Sequence, residues 1–314
     1  MTGLLVTLGS ALLLLNACAS AAPAAQNRPA TSATRAATLD ATAEAYFHYT
    51  MAQLHAQAGR LREAIGELRE AITWDSASPS LWIQLAFWLS RTEAHAEALE
   101  AARKAVELAP NQAAGHLALA ELHRGQKQYA EAEAELEKVI ALSPHAAEPY
   151  LALARHHVEL KAYAKARETL LRLSQVHPTL AQAHFLLGRL AIESEAWEEA
   201  IRELRRATEL DPDADDAWAA LGYVYETRHQ AEEALRVYRQ AIQANPDNLA
   251  LVERLGNLLI RMGKFDEARR EVESLASRAP RDPRIWMKLG AVYYEQKQYD
   301  KAAEAFQRVV VLEP

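Results

Sequence analysis

The segment DDAWAALGYVYETRHQAEEALRVYRQAIQANP, residues 215–246, contains the pattern that decides the fold. Trp218 and Leu221 are three residues apart, so they share one face of a helix. Gly222 follows, and a residue this small allows a second helix to come close. Ala234 marks the centre of that second helix, and Pro246 ends it because proline lacks the N–H that a helix interior uses. The segment therefore predicts two closely packed antiparallel helices.

The same pattern recurs every 34 residues from residue 45 onward, without insertion or deletion. The helix-centre alanines are Ala64, Ala98, Ala132, Ala166, Ala200, Ala234, Ala268 and Ala302. The stop twelve residues later is Ser76 in the first unit and then Pro110, Pro144, Pro178, Pro212, Pro246, Pro280 and Pro314. Eight units begin at Ala45, Pro79, Ala113, Ala147, Ala181, Asp215, Leu249 and Pro283. A fixed period of this length is typical of repeat architectures.

Composition agrees with an all-α chain. Half of the 314 residues are hydrophobic but only 7% are aromatic, and 11 glycines and 12 prolines are too few for the turns of an all-β protein. A formal net charge of -7 gives no sign of nucleic-acid binding. Cys18 is the only cysteine, which excludes an internal disulfide and a thiolate zinc site.

The units resemble the tetratricopeptide repeat at all of that family's diagnostic positions, over about 270 residues. The second unit carries Trp82, Leu85, Ala86, Ala98, Ala105 and Pro110, and the sixth carries Trp218, Leu221, Gly222, Tyr225, Ala234, Tyr238, Ala241 and Pro246. The resemblance implies a right-handed α-solenoid of about eight helix pairs over residues 45–314. It also implies a concave groove, lined by the first helix of each pair, that binds a protein or peptide.

Two sets of side chains are candidates for that groove. The apolar set, at the fifth and ninth residues of the units and nearby, is Tyr46, Tyr49, Ile83, Phe87, Leu117, Leu151, Phe185 and Tyr223. In any such array the fifth residue also packs partly between adjacent first helices, which is the alternative interpretation. The polar set, in the last two units, is Arg254, Asn257, Arg261, Arg284 and Lys288. It resembles the carboxylate clamp of some family members, but Glu253 stands at the clamp's first lysine position, so a mixed-charge solvated face is the alternative.

Eleven histidines raise the question of a metal site. His48/His55 and His116/His123 fall where the family places inward-facing aromatic residues, so we expect core packing there. His156 and His157 are adjacent on a helix and should point about 100° apart, a poor arrangement for chelation. No metalloprotease, nucleophile-elbow or phosphate-loop motif occurs, and we expect no metal, no cofactor and no catalytic residue.

The N-terminus resembles that of a bacterial lipoprotein. An apolar run at residues 3–15 is too short to span a membrane but suits a secretory signal. Leu15-Asn16-Ala17-Cys18 then resembles a lipobox, which implies a signal peptide at 1–17 and lipidation at Cys18. Residues 18–44 are rich in Ala, Pro, Thr and Ser, which predicts a flexible tether. Ala19 follows the cysteine where inner-membrane retention usually shows Asp, so for a Gram-negative source the resemblance implies the periplasmic face of the outer membrane.

These features predict a lipid-anchored scaffold that assembles a cell-envelope complex, such as a pilus or secretin, an exopolysaccharide exporter or an outer-membrane machine. Two alternatives remain: a substrate-presenting arm of an enzyme whose catalytic domain follows residue 314, and a cytosolic co-chaperone. We also expect further repeats or a capping helix after Pro314. Otherwise the chain should self-associate through Ala302, Ala305, Phe306, Val309 and Val310, which lack a successor to cover them.

Overall fold

The computed structural model describes residues 32–245 and 248–313. These residues form sixteen helices and no strand. The helices are α1 Ser32–Gln57, α2 Leu61–Trp74, α3 Pro79–Arg91, α4 His95–Leu108, α5 Ala113–Gly125, α6 Tyr129–Leu142, α7 Ala147–Glu159, α8 Tyr163–Val176, α9 Ala181–Glu193, α10 Trp197–Leu210, α11 Asp215–Thr227, α12 Ala231–Ala244, α13 Leu249–Arg261, α14 Phe265–Arg278, α15 Pro283–Glu295 and α16 Tyr299–Leu312. Each odd-numbered helix is here called an A helix, and each even-numbered helix a B helix.

The helices form a solenoid of eight A/B pairs, as the 34-residue period predicts. Each helix packs against its partner and against the next helix in the chain, and A helices of neighbouring units also touch, as α3 does α5 and α9 does α11. The eight helix-centre alanines of the B helices are all buried. Because every helix contacts only its near neighbours in sequence, the core is a continuous row of local clusters.

Small residues at the eighth position of each unit let the A and B helices approach. A Cβ added to Gly222 would lie 2.3 Å from Cε1 of Tyr238, and one added to Gly290 would lie 2.5 Å from Cε1 of Phe306. The larger residue on the B helix thus fills the space that the glycine leaves. Close packing of the two helices therefore leaves no room for a side chain at these two glycines.

The turn between the A and B helices has the same backbone shape in every unit. Its fifteenth residue has a positive φ, between 56° and 74°, at Gly59, Glu93, Lys127, Lys161, Glu195, His229, Gly263 and Lys297. Only two of these eight positions are glycine, although the left-handed conformation strains other residues. The helix pairs on both sides therefore determine this turn, and glycine is not needed to form it.

The first helix differs from the sequence-based expectation. Helix α1 begins at Ser32, so the part of the expected flexible tether at residues 32–44 is helical. Five of these thirteen residues are alanine, the strongest helix former, which favours the helix at this end. Ala45, the expected first repeat residue, is where burial begins.

The last unit also corrects an expectation. Ala302 and Ala305 are buried, because they face α15 of their own unit. Phe306 and Val309 are half-buried, and Phe306 packs against Gly290. Val310 alone of the five expected residues is exposed, with 66% of its surface accessible. The uncovered apolar surface of α16 is thus smaller than the sequence pattern predicts.

Within residues 32–245 and 248–313, no helix combines the length and the apolar character needed to cross a lipid bilayer. The expected signal peptide and Cys18 lie outside the described residues.

Candidate functional site

The side-by-side A helices form one face of the solenoid, here called the A-helix groove. One concavity of this groove lies on α9, α11 and α13 and has a volume of about 330 Å³. Its lining residues are Phe185, Arg189, Ile192, Glu193, Asp216, Ala219, Ala220, Tyr223 and Arg254. Since all nine belong to A helices of three successive units, the concavity belongs to the groove that the repeat pattern predicts.

Three of the predicted groove residues meet at this concavity: Phe185, Tyr223 and Arg254. The Phe185 ring is half-buried and lies under the guanidinium of Arg189, with Cζ 5.8 Å from the ring centroid. Tyr223 leaves 48% of its surface exposed. The site therefore offers two aromatic surfaces, small alanine side chains and charged groups of both signs.

The C-terminal wall of the concavity is held by a network around Glu226. The Tyr238 hydroxyl donates to Oε1 of Glu226 at 2.6 Å, and Arg261 donates to Oε2 of the same carboxylate. Burial and the Glu226 hydrogen bond raise the pKa of Tyr238, while Arg254 works in the opposite direction. The network joins α11, α12 and α13, so it fixes the position of Arg254 relative to Tyr223.

The polar candidates of the last two units are engaged by acids on their own face. Lys288 Nζ lies 3.1 Å from Glu253 and donates to Asn257 at 2.9 Å. Arg284 makes a two-pronged contact with Asp282 at 3.0 and 2.7 Å. The Arg284 hydrogen bond lowers the pKa of Asp282 more than burial raises it. This geometry favours the mixed-charge face over a carboxylate clamp.

The apolar candidates of the first four units are not equally accessible. Leu151 is 6% exposed and belongs to the core between units, so including it in a binding surface was wrong. The physical reason is that the fifth residue of a unit can pack between adjacent A helices, and Leu151 does so. Among the remaining candidates of these units, Tyr46 is exposed. The half-buried candidates are Tyr49, Ile83, Phe87 and Leu117.

Sequence reasoning missed several lining residues, notably Arg189, Glu193 and Asp216. Arg189 is the ninth residue of its unit, the same position as Phe87 and Tyr223. A consistent comparison of this position across all units would have found it. Arg189, Glu193 and Asp216 are charged, whereas the groove residues predicted for the first six units are all apolar or aromatic.

The repeat histidines follow the expected core role only in part. His116 and His123 are buried, whereas His48 and His55 are half-buried. His116 Nδ1 faces Glu135 Oε2 at 2.6 Å, and its Nε2 faces the carbonyl of Pro110 at 2.9 Å. The ring of His116 is thus held by polar partners at both of its nitrogens.

Comparison with known families agrees with this architecture. Two matching models are described as tetratricopeptide repeat and cover residues 227–292 and 283–314. A third, described as the tetratricopeptide repeat protein 21 C-terminal ARM domain, covers residues 101–252. No curated protein matches the chain.

Several solved structures are similar to parts of this chain. YrrB, described as a TPR protein with an unusual peptide-binding site, is 24% identical over 60% of this chain and 96% of its own, with a TM-score of 0.45. A tetratricopeptide repeat protein from Parabacteroides merdae ATCC 43184 is 18% identical over 75% of this chain and 93% of its own, with a TM-score of 0.47. MamA 41-end from Desulfovibrio magneticus RS-1 is 22% identical over 55% and 97%, with a TM-score of 0.46.

Proposed function

Because this chain is a tetratricopeptide repeat protein, a scaffold for protein-protein interaction, we propose that its A-helix groove binds a protein segment at units five to seven. The observation that carries the proposal is the concavity that joins Phe185, Tyr223 and Arg254. The binding role involves no catalysis by the chain itself.

The chemistry of the concavity limits what the segment contains. A volume of about 330 Å³ suits one or two large side chains. Phe185 and Tyr223 provide the apolar contact, and a partner's aromatic or aliphatic side chain would bury there as an anchor. Arg189, Arg254, Glu193 and Asp216 surround this contact, so polar residues of the partner would flank the anchor.

Affinity capture from a cell extract tests this role. Tyr223→Ser removes an exposed ring without opening the core, and combined with Arg254→Ala it should reduce recovery of the specific partner by about tenfold or more. Trp74→Ser is the matched control, since Trp74 is a similarly exposed aromatic residue on a B helix. Equal recovery with the groove variant and the control would contradict the proposal.

We further propose that the chain is a lipoprotein of the cell envelope. The support comes from the apolar run at 3–15 and the lipobox-like residues that end at Cys18. The three acyl chains typical of Gram-negative lipoproteins would anchor it stably, since each buried CH₂ contributes about 0.8 kcal/mol. Cys18→Ser should move the protein to the soluble fraction. A Cys18→Ser protein that stays with membranes after a carbonate wash would refute the anchor.

In this setting the scaffold would take part in assembly of an envelope complex, such as a pilus or secretin, an exopolysaccharide exporter or an outer-membrane machine. Self-association through α16 stays a prediction, which the exposed side chains of Val310 and Val311 favour.

A further inference from the structure

We propose that Glu133, His156 and His157 form a binding site for a divalent transition-metal ion of the zinc class, between the third and fourth repeats. Each residue offers one ligand atom, and the three atoms lie within 4.8 Å of one another. Glu133 is on α6 and both histidines are on α7. An ion bound there would join two neighbouring units.

His156 is the strongest indication of a ligand site. It is 1% exposed, and neither ring nitrogen has a hydrogen-bond partner among the described residues. An imidazole ring offers one hydrogen-bond donor and one acceptor, and in His156 both are buried without a partner. A metal ion would use the lone pair that the protein leaves unused.

The repeat itself shows that no histidine is needed here for packing. His156 is the tenth residue of its unit, and the corresponding residues elsewhere are Leu54, Trp88, Leu122, Leu190, Val224, Leu258 and Val292. All seven are apolar, and all but Leu54 are buried. Only the fourth unit of the array places a polar ring at this point.

The other two ligands complete a recognisable donor set. His157 is 3% exposed, and its Nδ1 also has no partner within the described chain. Glu133 is half-buried and adds a carboxylate oxygen. Two imidazoles and one carboxylate, with a fourth position left to water, are a common zinc arrangement. Adjacent histidines were expected to diverge, but both rings turn toward α6, with centroids 5.7 Å apart.

The spacing of the ligand atoms suits a bound ion, since all three lie within 4.8 Å of one another. Zinc-to-ligand bonds of about 2.1 Å require ligand atoms roughly 3.4 Å apart, so a modest rotation of the side chains completes the site.

Lys165 is the built-in competitor of the ion. Its Nζ lies 2.8 and 3.2 Å from the two oxygens of Glu133. The lysine is exposed and can leave, so a bound ion would take over its contact with the carboxylate. Removing its positive charge should therefore strengthen binding of the ion. If the ion pair of Lys165 with Glu133 had only a structural role, its removal would weaken binding instead.

The test is titration of the full chain with Zn²⁺ by calorimetry and with Co²⁺ by visible absorption, in a Cys18→Ser background that removes the thiol. We expect one ion per chain with the absorption of a four-coordinate site. His156→Leu restores the residue type of the other units, so it should fold, yet weaken binding at least about tenfold. Lys165→Gln should bind as tightly as the parent or tighter.

The matched control is His95→Gln, which removes an exposed histidine of the neighbouring helix pair and should leave the affinity unchanged. Binding that is equal in the parent and in His156→Leu, or absent from the parent, would overturn the proposal. So would a loss of binding in Lys165→Gln as large as that in His156→Leu, because the effect would then follow from structure rather than coordination.

Discussion

The Nδ1 atom of His116 lies 2.6 Å from Oε2 of Glu135, and the pair joins α5 to α6 within one unit. The same contact occurs nineteen residues apart in two other units, at His48 with Glu67 and at His184 with Glu203. Four units have an indole or phenol ring at the histidine position and no carboxylate nineteen residues later. These pairs are Trp82 with Ala101, Tyr150 with Thr169, Trp218 with Val237 and Trp286 with Ala305. The two positions therefore change together in seven of the eight units; the seventh unit is the exception, with Val252 and Glu271.

Glu135→Ala should lower the free energy of unfolding by about 1 to 3 kcal/mol, because it leaves the buried Nδ1 of His116 without a partner. Adding His116→Trp to Glu135→Ala recreates the combination of the second unit and should recover part of the loss. Urea denaturation of both variants measures the effect. Lys138→Ala is the control, since Lys138 contacts the same carboxylate from the surface and contributes less than about 1 kcal/mol. Strictly additive effects would show that the two positions are independent.

The pair should also make stability depend on pH. Burial raises the pKa of Glu135, but hydrogen bonds from Lys138 and His116 outweigh it, and the pKa lies below its ordinary value. A carboxyl group with a lowered folded-state pKa stabilises the fold above the unfolded-state pKa of about 4.3, and this contribution is lost as the pH falls through the folded-state pKa. The stability difference between the parent and Glu135→Gln should thus shrink on acidification from neutral pH. A constant difference would exclude this linkage.

Gly222→Ala adds only one methyl group, but it should destabilise the fold strongly. The new Cβ would lie 2.3 Å from the ring of the buried Tyr238, and overpacking of this kind costs about 1 to 3 kcal/mol. Gly66→Ala is the matched control, because no atom lies within 4 Å of its Cβ and alanine favours a helix by up to about 1 kcal/mol. Thermal unfolding should move in opposite directions for the two variants. Equal shifts would contradict the assigned A/B contact.

Ala200→Leu or Ala234→Leu tests the register of the repeats. Both alanines have no exposed surface, so three added carbons must displace a neighbouring helix at a cost of about 1 to 3 kcal/mol or more. Neighbouring units are coupled, and hydrogen exchange should show the loss spreading to adjacent units. Ala303→Leu, at an exposed position of α16, is the control. An unfolding temperature that stays within a degree of the parent would refute the register.

The sequence predicted the helix pairs because their determinants are local and periodic. The small eighth residue, the helix-centre alanine and the terminal proline act within one unit, so one correct unit predicts the others. The start of helix α1 was missed because residues 32–44 lack the repeat pattern, and their five alanines favour a helix through intrinsic propensity alone.

The site was predicted less completely because accessibility depends on neighbouring units. Periodicity placed Phe185 and Leu151 on the same helix face, but only Phe185 lines the concavity, while Leu151 packs into the core. The approach of Glu133 to His156 and His157 is also a contact between units, which spacing along one helix does not show.

Site-specific photocrosslinking, with a photoreactive phenylalanine analogue at position 223 in living cells, is a direct test of binding in the A-helix groove. We expect a discrete crosslinked partner from position 223 and none from position 74, which lies on a B helix. The crosslink should weaken when Arg254→Ala is added. The absence of any crosslink from position 223, or the same products from position 74, would contradict binding in the A-helix groove.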